Sequence, residues 1–507
     1  MANPNELATS WLKRRFFAAV GIGLVGSVLI WVVTPYNDNI LGGGFISDSF
    51  VPAIAFFLLL VLVLAVNPLA RLIAPGWELD SRQLAVVMGI LLVASSIPST
   101  GTLRTVMYAI ANVPFQTSQN PRLAEAYGNA GLKPALFPDR IDGTADVPAS
   151  EYFLTELPEG GLVPWGNWVR GPLWSWGLFY LAAWLMMIGL AMVVIPQWRH
   201  NERLAFPLLT LQESLIGTPK DGGTLAKVFR LRSFWIAAAV VFLLHFLAGM
   251  KQYSPEAVPA IPLKWDLKDL FAHEPLRYIS RHVYRSRIYF IFIGMAYFMP
   301  SRIGFSIWFF FLAYAIYIMF GIAYMPSFSS EVVADHRVGG MFALTVAILW
   351  LGRSHWKHVI GCMFHAPHDA ADWRDRRAGW MFSIGCTGMF VWLIWLGNVQ
   401  PWWAAFYTGV GFMVCLLITR IVAETGMPFF RIWMDYSAPL VALIGVHLAQ
   451  ANLLWLLSPA RLHLSDVQSH CRGQCARKCH DAHVVRRHDG GGRARQGRRI
   501  AQARGPG

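Results

Sequence analysis

The feature that most limits what this chain can become is an apolar run of membrane-crossing length, repeated along its sequence. The first, inside "RRFFAAVGIGLVGSVLIWVVTP", covers residues 16–33 without a charge. A helix needs about 20 apolar residues to cross roughly 30 Å of hydrocarbon. Backbone groups in lipid must pair within their own segment, so each run is expected to be helical. Further runs lie at 50–67, 83–98, 174–196, 234–250, 288–300, 304–321, 340–352, 378–397, 403–420 and 438–457. The reading is an all-α, polytopic integral membrane helix bundle of about eleven spans within residues 1–460, with the lipid bilayer as its first partner.

Charge decides how the spans face. The chain is 14% charged, against about a quarter in a soluble domain. Its net charge of +14 would suit nucleic acid in a soluble protein, but basic cytoplasmic loops account for it here, and no nucleic-acid partner is expected. Lys13, Arg14 and Arg15 precede the first run and hold the N-terminus in the cytoplasm. "VVTPYNDN" offers no small-x-small cleavage exit, so that run reads as a span rather than a signal peptide. Alternation then places 197–233 inside, with six Lys/Arg against three acids, and 34–49 outside, with none. Residues 99–172, rich in Pro, Gly and Asn, form an extracytoplasmic loop or small inserted cap. Loop 251–287 departs from the pattern, with seven basic residues on the outer side.

Two stretches carry ionisable residues beside helix breakers. "RHNERLAFPLLTLQES" follows the fourth run and holds Glu202, Arg203, Pro207, Gln212 and Glu213. "TRIVAETGMPFF" follows the tenth and holds Arg420, Glu424 and Pro428. Proline lacks an N–H and stops a helix, freeing backbone groups that can bind a polar solute or ion. The two stretches are alike enough to suggest an internal repeat, an arrangement in which transporters place substrate near broken helices. An ionisable residue at such depth is a functional candidate, so Glu424 leads the substrate- or ion-binding set, with Arg420, Arg203, Glu202, Gln212 and Glu213 as its polar companions. The plainer reading of Arg420 and Glu424 is a salt bridge at i,i+4 that staples a helix end. A third break, at Pro300 in "GMAYFMPSRIGF", makes either two short spans or a re-entrant hairpin, with Gly294 and Gly304 allowing close backbone approach. The aromatic run Trp308–Phe311 reads as lipid-facing packing or an interfacial belt rather than a ligand cage, and Asp80 or Ser81 is expected to cap the third span.

Metal chemistry has two weaker candidates. "HAPHDAADWRDRR" gathers His365, His368, Asp369, Asp372 and Asp375, but nothing in the sequence fixes their geometry and a solvated loop is the expectation. The segment 461–507 holds Cys471, Cys475, Cys479, His470 and His483 in a basic Arg- and Gly-rich setting. Its C-x3-C-x3-C spacing is not a zinc knuckle. The abrupt composition change at 460 fits a frame-shifted reading or a disordered basic tail, and further spans would then be missing. No GxSxG, HExxH, Walker A or dinucleotide fingerprint occurs, so no catalytic residue, resident metal or cofactor is nominated.

The phrases "RHNERLAFPLLTLQES", "IGMAYFMPSRIGFSIWFFF" and "TRIVAETGMPF", in that order, resemble an uncharacterised family of large bacterial integral membrane proteins. That family is remotely similar to the oligopeptide transporter superfamily. The resemblance implies a proton-coupled secondary active transporter in the bacterial inner membrane, moving small peptides, metal chelates or related polar solutes, with a homo-oligomeric state open. The alternative is a membrane-embedded enzyme or assembly subunit that acts through 99–172.

Overall fold

A computed structural model describes residues 4–430 apart from 100–101, 103–104, 143–147, 218–222, 260 and 329. The expected span at 438–457, Cys471, Cys475, Cys479, His470 and His483 lie outside the described residues. The architecture is all-α except for one short hairpin, in which β1 (Lys264–Asp266) pairs antiparallel with β2 (Arg285–Arg287). Among the described residues, seven helices are long and apolar enough to cross a membrane. They correspond to seven of the expected runs. The run at 83–98 gives a helix of 15 residues, 288–300 gives one of 9, and 340–352 forms part of a longer helix with a charged start.

The N-terminal body begins with α1 (Pro4–Pro35), prolonged by a π turn, Tyr36–Leu41. The chain reverses at Gly42, which has a φ of 63°. It returns through α2 (Ala53–Val61) and α3 (Asn67–Ile73), then turns back as α4 (Ser81–Ser95). Asp80 caps α4 in a reciprocal box: its carboxylate accepts the Gln83 N–H at 2.9 Å, and the Gln83 side chain accepts the Asp80 N–H at 2.9 Å. Buried Asn67 is held at both ends of its amide, donating to Leu79 O and accepting from Leu79 N–H. Glycines let α1 and α4 approach closely; a methyl at Gly26 would lie 2.5 Å from Leu91 Cδ2. Ile30, Leu59, Leu84, Val87 and Leu91 fill the space between these helices.

The segment expected as a loop or small cap is helical for much of its length. It comprises α5 (Met107–Gln119), α6 (Pro121–Asn129), α7 (Pro148–Leu154) and α8 (Trp165–Trp168). The chain then enters α9 (Trp174–Pro196). A short helix, α10 (Pro207–Ile216), and a peripheral one, α11 (Arg232–Tyr253), follow. After α12 (Arg281–Tyr284), the half-length α13 (Phe290–Phe298) breaks at Met299–Pro300 before α14 (Ser301–Tyr324). The remaining helices are α15 (Ser330–Leu351), α16 (Arg353–Phe364), α17 (Ala370–Trp395) and α18 (Pro401–Thr425).

A second body forms around α9, α17 and α18. Val113, Tyr127, Leu132, Leu136 and Phe137 of the cap pack on Trp392, Leu396, Val399 and Ala404, where α17 turns into α18. Buried Asp139 knits the cap together, accepting from Ser150 N–H, Ser150 Oγ and Asn167 Nδ2. The closest crossing is between α9 and α17, through Gly189, Gly385 and Gly388. Gly294 and Gly304 do not play the part expected of them: an added methyl at Gly294 meets nothing within 4 Å, and one at Gly304 meets Met299 Sδ at 3.8 Å. Here α14 presents its aromatics outward, with Trp308 at 60% and Phe310 at 67% exposure.

Candidate functional site

The two stretches that the sequence set apart meet in space. Pro196 lies at the end of α9, and the helix loosens there into a π turn, Gln197–Asn201, before stopping at Glu202. The stop is tied down by backbone: Glu202 N–H donates to Gln197 O at 3.1 Å and Leu204 N–H to Trp198 O at 3.0 Å. Arg203 and Phe206 take φ values of 52° and 44°, left-handed conformations uncommon for residues other than glycine. Pro207 then opens α10 at its first turn, where a missing N–H costs nothing.

On the opposing side α18 ends at Thr425, and Gly426 adopts the left-handed cap conformation at φ 65°. Phe206 N–H donates to Ala423 O at 3.2 Å, a backbone link between the two stretches. Gly426 is required twice over, since a methyl there would also sit 2.5 Å from Pro207 Cβ and 3.3 Å from Met295 Cε. The half-length helices α10 and α13 therefore converge on the end of α18. Pro428 lies in the non-helical continuation, and its carbonyl accepts the Phe50 N–H at 2.8 Å. Phe50 belongs to the non-helical segment that leads into α2. Three interrupted stretches, around residues 50, 206 and 428, are thus joined.

Arg420 is the centre of this junction. One guanidinium nitrogen, Nη1, donates directly to Glu202 Oε2, and Nε donates to Glu424 Oε2 at 3.2 Å. The guanidinium carbon lies 5.3 Å from the Trp198 ring centroid, a cation–π placement. Gln197 Nε2 donates to the other Glu202 oxygen at 3.4 Å, and Asn201 donates to the Gln197 side-chain oxygen. The side chains of Arg420 and Glu202 are 13% and 19% exposed, whereas Glu424 is 40% exposed. One acid is enclosed and one is open, and both answer to the same cation. The i,i+4 staple is present, and the same arginine also reaches across 218 positions of sequence.

The other nominated residues lie apart. Arg203 is exposed and, among the described residues, takes no part in an ion pair. Half-buried Gln212 and exposed Glu213 are on α10 beyond the junction, with no side-chain bond among the described residues. Pro207, Pro300 and Pro428 each stand at a break, as expected, but Pro300 belongs to the α13–α14 corner. Trp198, Gln197 and Gly426 were missed. A π turn leaves no local signature in sequence, and the pairing of Gly426 with Pro207 is a tertiary fact.

Depth is constrained by length. With 15 residues, α4 reaches about 22 Å at 1.5 Å per residue, short of the roughly 30 Å of hydrocarbon. Its far end adjoins the segment before α2, because Ser47 Oγ donates to Pro98 O at 3.5 Å. Non-helical backbone is tolerated at such depth where protein buries it or it lines a polar cavity. Fold and site together define a polytopic α-helical membrane protein with interrupted helices around a partly enclosed Glu–Arg–Glu cluster. The chain belongs to the DUF6785 family, a family of unknown function whose model matches residues 12–482. No curated protein and no solved structure matches it.

Proposed function

We propose that the chain is a secondary active transporter of small peptides or related polar solutes, coupled to protons through the Glu202–Arg420–Glu424 cluster. The observation that carries this reading is the Arg420–Glu202 pair, which joins two helix interruptions of an otherwise apolar bundle. An ion pair is an expensive way to fasten helices in lipid, and such residues characteristically mark a solute or ion path. Broken helices meeting near the middle of a bundle are where secondary carriers bind their cargo.

The chemistry suits a zwitterion. Arg420 uses two of its five N–H donors on the two acids, leaving others for a substrate carboxylate. Glu424, the open acid, is placed to take a proton or a substrate ammonium group. Its neutralisation weakens one of Arg420's two attachments and leaves Glu202 as the anchor. Glu202 and Trp198 then keep the guanidinium in place while Glu424 exchanges partners.

Purified protein in proteoliposomes, screened with di- and tripeptides under an imposed pH gradient, tests this. The expected result is accumulation that collapses with the gradient, and a Glu424→Gln variant that exchanges substrate but no longer concentrates it. Full proton-driven uptake by Glu424→Gln would remove the assignment.

A further inference from the structure

The structure gathers a second constellation, away from the Arg420 junction, on α16 and α17. His358 and Cys362 are four residues apart on α16 and so share one face. Asp372 comes from the first turn of α17, which Asp369 caps by accepting the Asp372 N–H at 2.8 Å. Asp372 Oδ2 accepts the His368 N–H at 3.0 Å, which holds the carboxylate with Oδ1 towards the other two side chains. His358 Nε2 lies 3.4 Å from Asp372 Oδ1 and 3.5 Å from Cys362 Sγ, and Sγ lies 3.7 Å from that same Oδ1.

These three separations match the edges of a coordination tetrahedron. Bonds of about 2.0–2.1 Å to nitrogen and oxygen and about 2.3 Å to sulfur give tetrahedral edges of about 3.4 Å for N···O and about 3.6 Å for N···S and O···S. We infer that His358, Cys362 and Asp372 form a three-ligand site for a divalent transition metal ion, with zinc the best fit to a mixed imidazole, thiolate and carboxylate set. Cys362 is buried at 8% exposure, while the His358 side chain is 54% exposed, so a fourth position faces outward for water or an incoming ligand. Asp375 is a further acid nearby, but its Oδ2 lies 3.9 Å from His358 Nε2, longer than a tetrahedral N···O edge, while Arg374 holds its Oδ1 at 2.9 and 3.0 Å. Ligation would deprotonate the thiol and clip the end of α16 to the start of α17.

The test uses the full chain in detergent, stripped with chelator and titrated with Co2+. The three tail cysteines, Cys471, Cys475 and Cys479, are changed to Ser in a background variant so that their thiols contribute nothing. The expected result in that background is about one Co2+ per chain with a thiolate-to-cobalt charge-transfer band and tetrahedral visible absorption, displaced by Zn2+. Cys362→Ser should abolish the band, and His358→Gln and Asp372→Asn should weaken binding tenfold or more. No charge-transfer band in the tail-serine background, or a band that survives Cys362→Ser, would overturn the site in favour of a hydrogen-bonded triad. Should Cys362→Ser fail to fold, the exposed His358→Gln variant carries the decision: undiminished Co2+ affinity there overturns the site equally, and tenfold loss supports it.

Discussion

Gly385 of α17 lies against the backbone of Met186 in α9, so close that a methyl on its Cα would sit 2.2 Å from the Met186 nitrogen and 2.8 Å from Ala182 O. Gly189 returns the contact, with its added methyl 2.3 Å from the Phe382 nitrogen. Small residues are how helices gain dispersion contacts in lipid, where water supplies no hydrophobic drive between them.

Gly385→Val should therefore separate α9 from α17 at the heart of the second body. Overpacking costs about 1–3 kcal/mol in ordinary cores and occasionally more, and a clash with backbone belongs at the upper end. Thermal unfolding in detergent should show a large fall in midpoint. Gly294→Ala is the contrast: it meets nothing, and helix propensity favours Ala by about 1 kcal/mol, so its midpoint should hold or rise.

Trp392 donates its indole N–H to Ser175 O at 2.6 Å from a 4% exposed position beneath the cap. Trp392→Phe keeps a ring but loses this bond to a carbonyl at the start of α9, at a cost of about 0.5–1.5 kcal/mol. Limited proteolysis should cut within 107–160 sooner in this variant than in the parent protein.

Removing Arg420 leaves Glu202 enclosed without its cation. Breaking one side of a buried pair costs about 3–5 kcal/mol, and the remaining exposure of this pair puts the expectation for Arg420→Leu below that range. Glu202→Gln should be milder, because the amide oxygen still accepts from Arg420, although its NH2 then replaces the oxygen that accepted from Gln197. A double-mutant cycle over Glu202 and Arg420 should give a clear coupling energy, whereas one over Arg203 and Arg420 should give none.

The turn before α4 carries a pH signature. The Glu78 carboxyl is held below its ordinary range, first by its own backbone N–H and then by the Gly76 N–H at 2.7 Å. A lowered acid stabilises the fold above its ordinary value of 4.5 and loses that contribution as pH falls through the depressed value. Solvent screening keeps the effect under about 1 kcal/mol. The difference in thermal midpoint between the parent and Glu78→Gln should be positive at neutral pH and vanish in acid.

Much of the bundle was legible because its signals are local. Apolar run length announced the spans, Asp80 announced its cap, and Pro207, Pro300 and Pro428 announced breaks. The Arg420–Glu424 staple followed from i,i+4 spacing alone. What escaped depends on which helices become neighbours. Glu202 and Arg420 were noticed as similar settings rather than as partners, since nothing local marks a pairing over 218 positions. The Gly189–Gly385 crossing looks, in sequence, no different from Gly294, which turns out to touch nothing. In sequence Asp372 stands among the polar residues near it in the chain, while its neighbours in space, His358 and Cys362, lie a loop away on another helix.

Helix α10 has a mechanical meaning beyond its size. Its first residue, Pro207, bears on Gly426 at the foot of α18, and Leu215 near its other end is embedded among the side chains of the N-terminal body. A rod of ten residues thus bridges two separately packed masses, with the arginine cluster beside one of its bearings. In the carrier proposed above, any rocking of one mass against the other would load this rod at the bearing nearest Arg420.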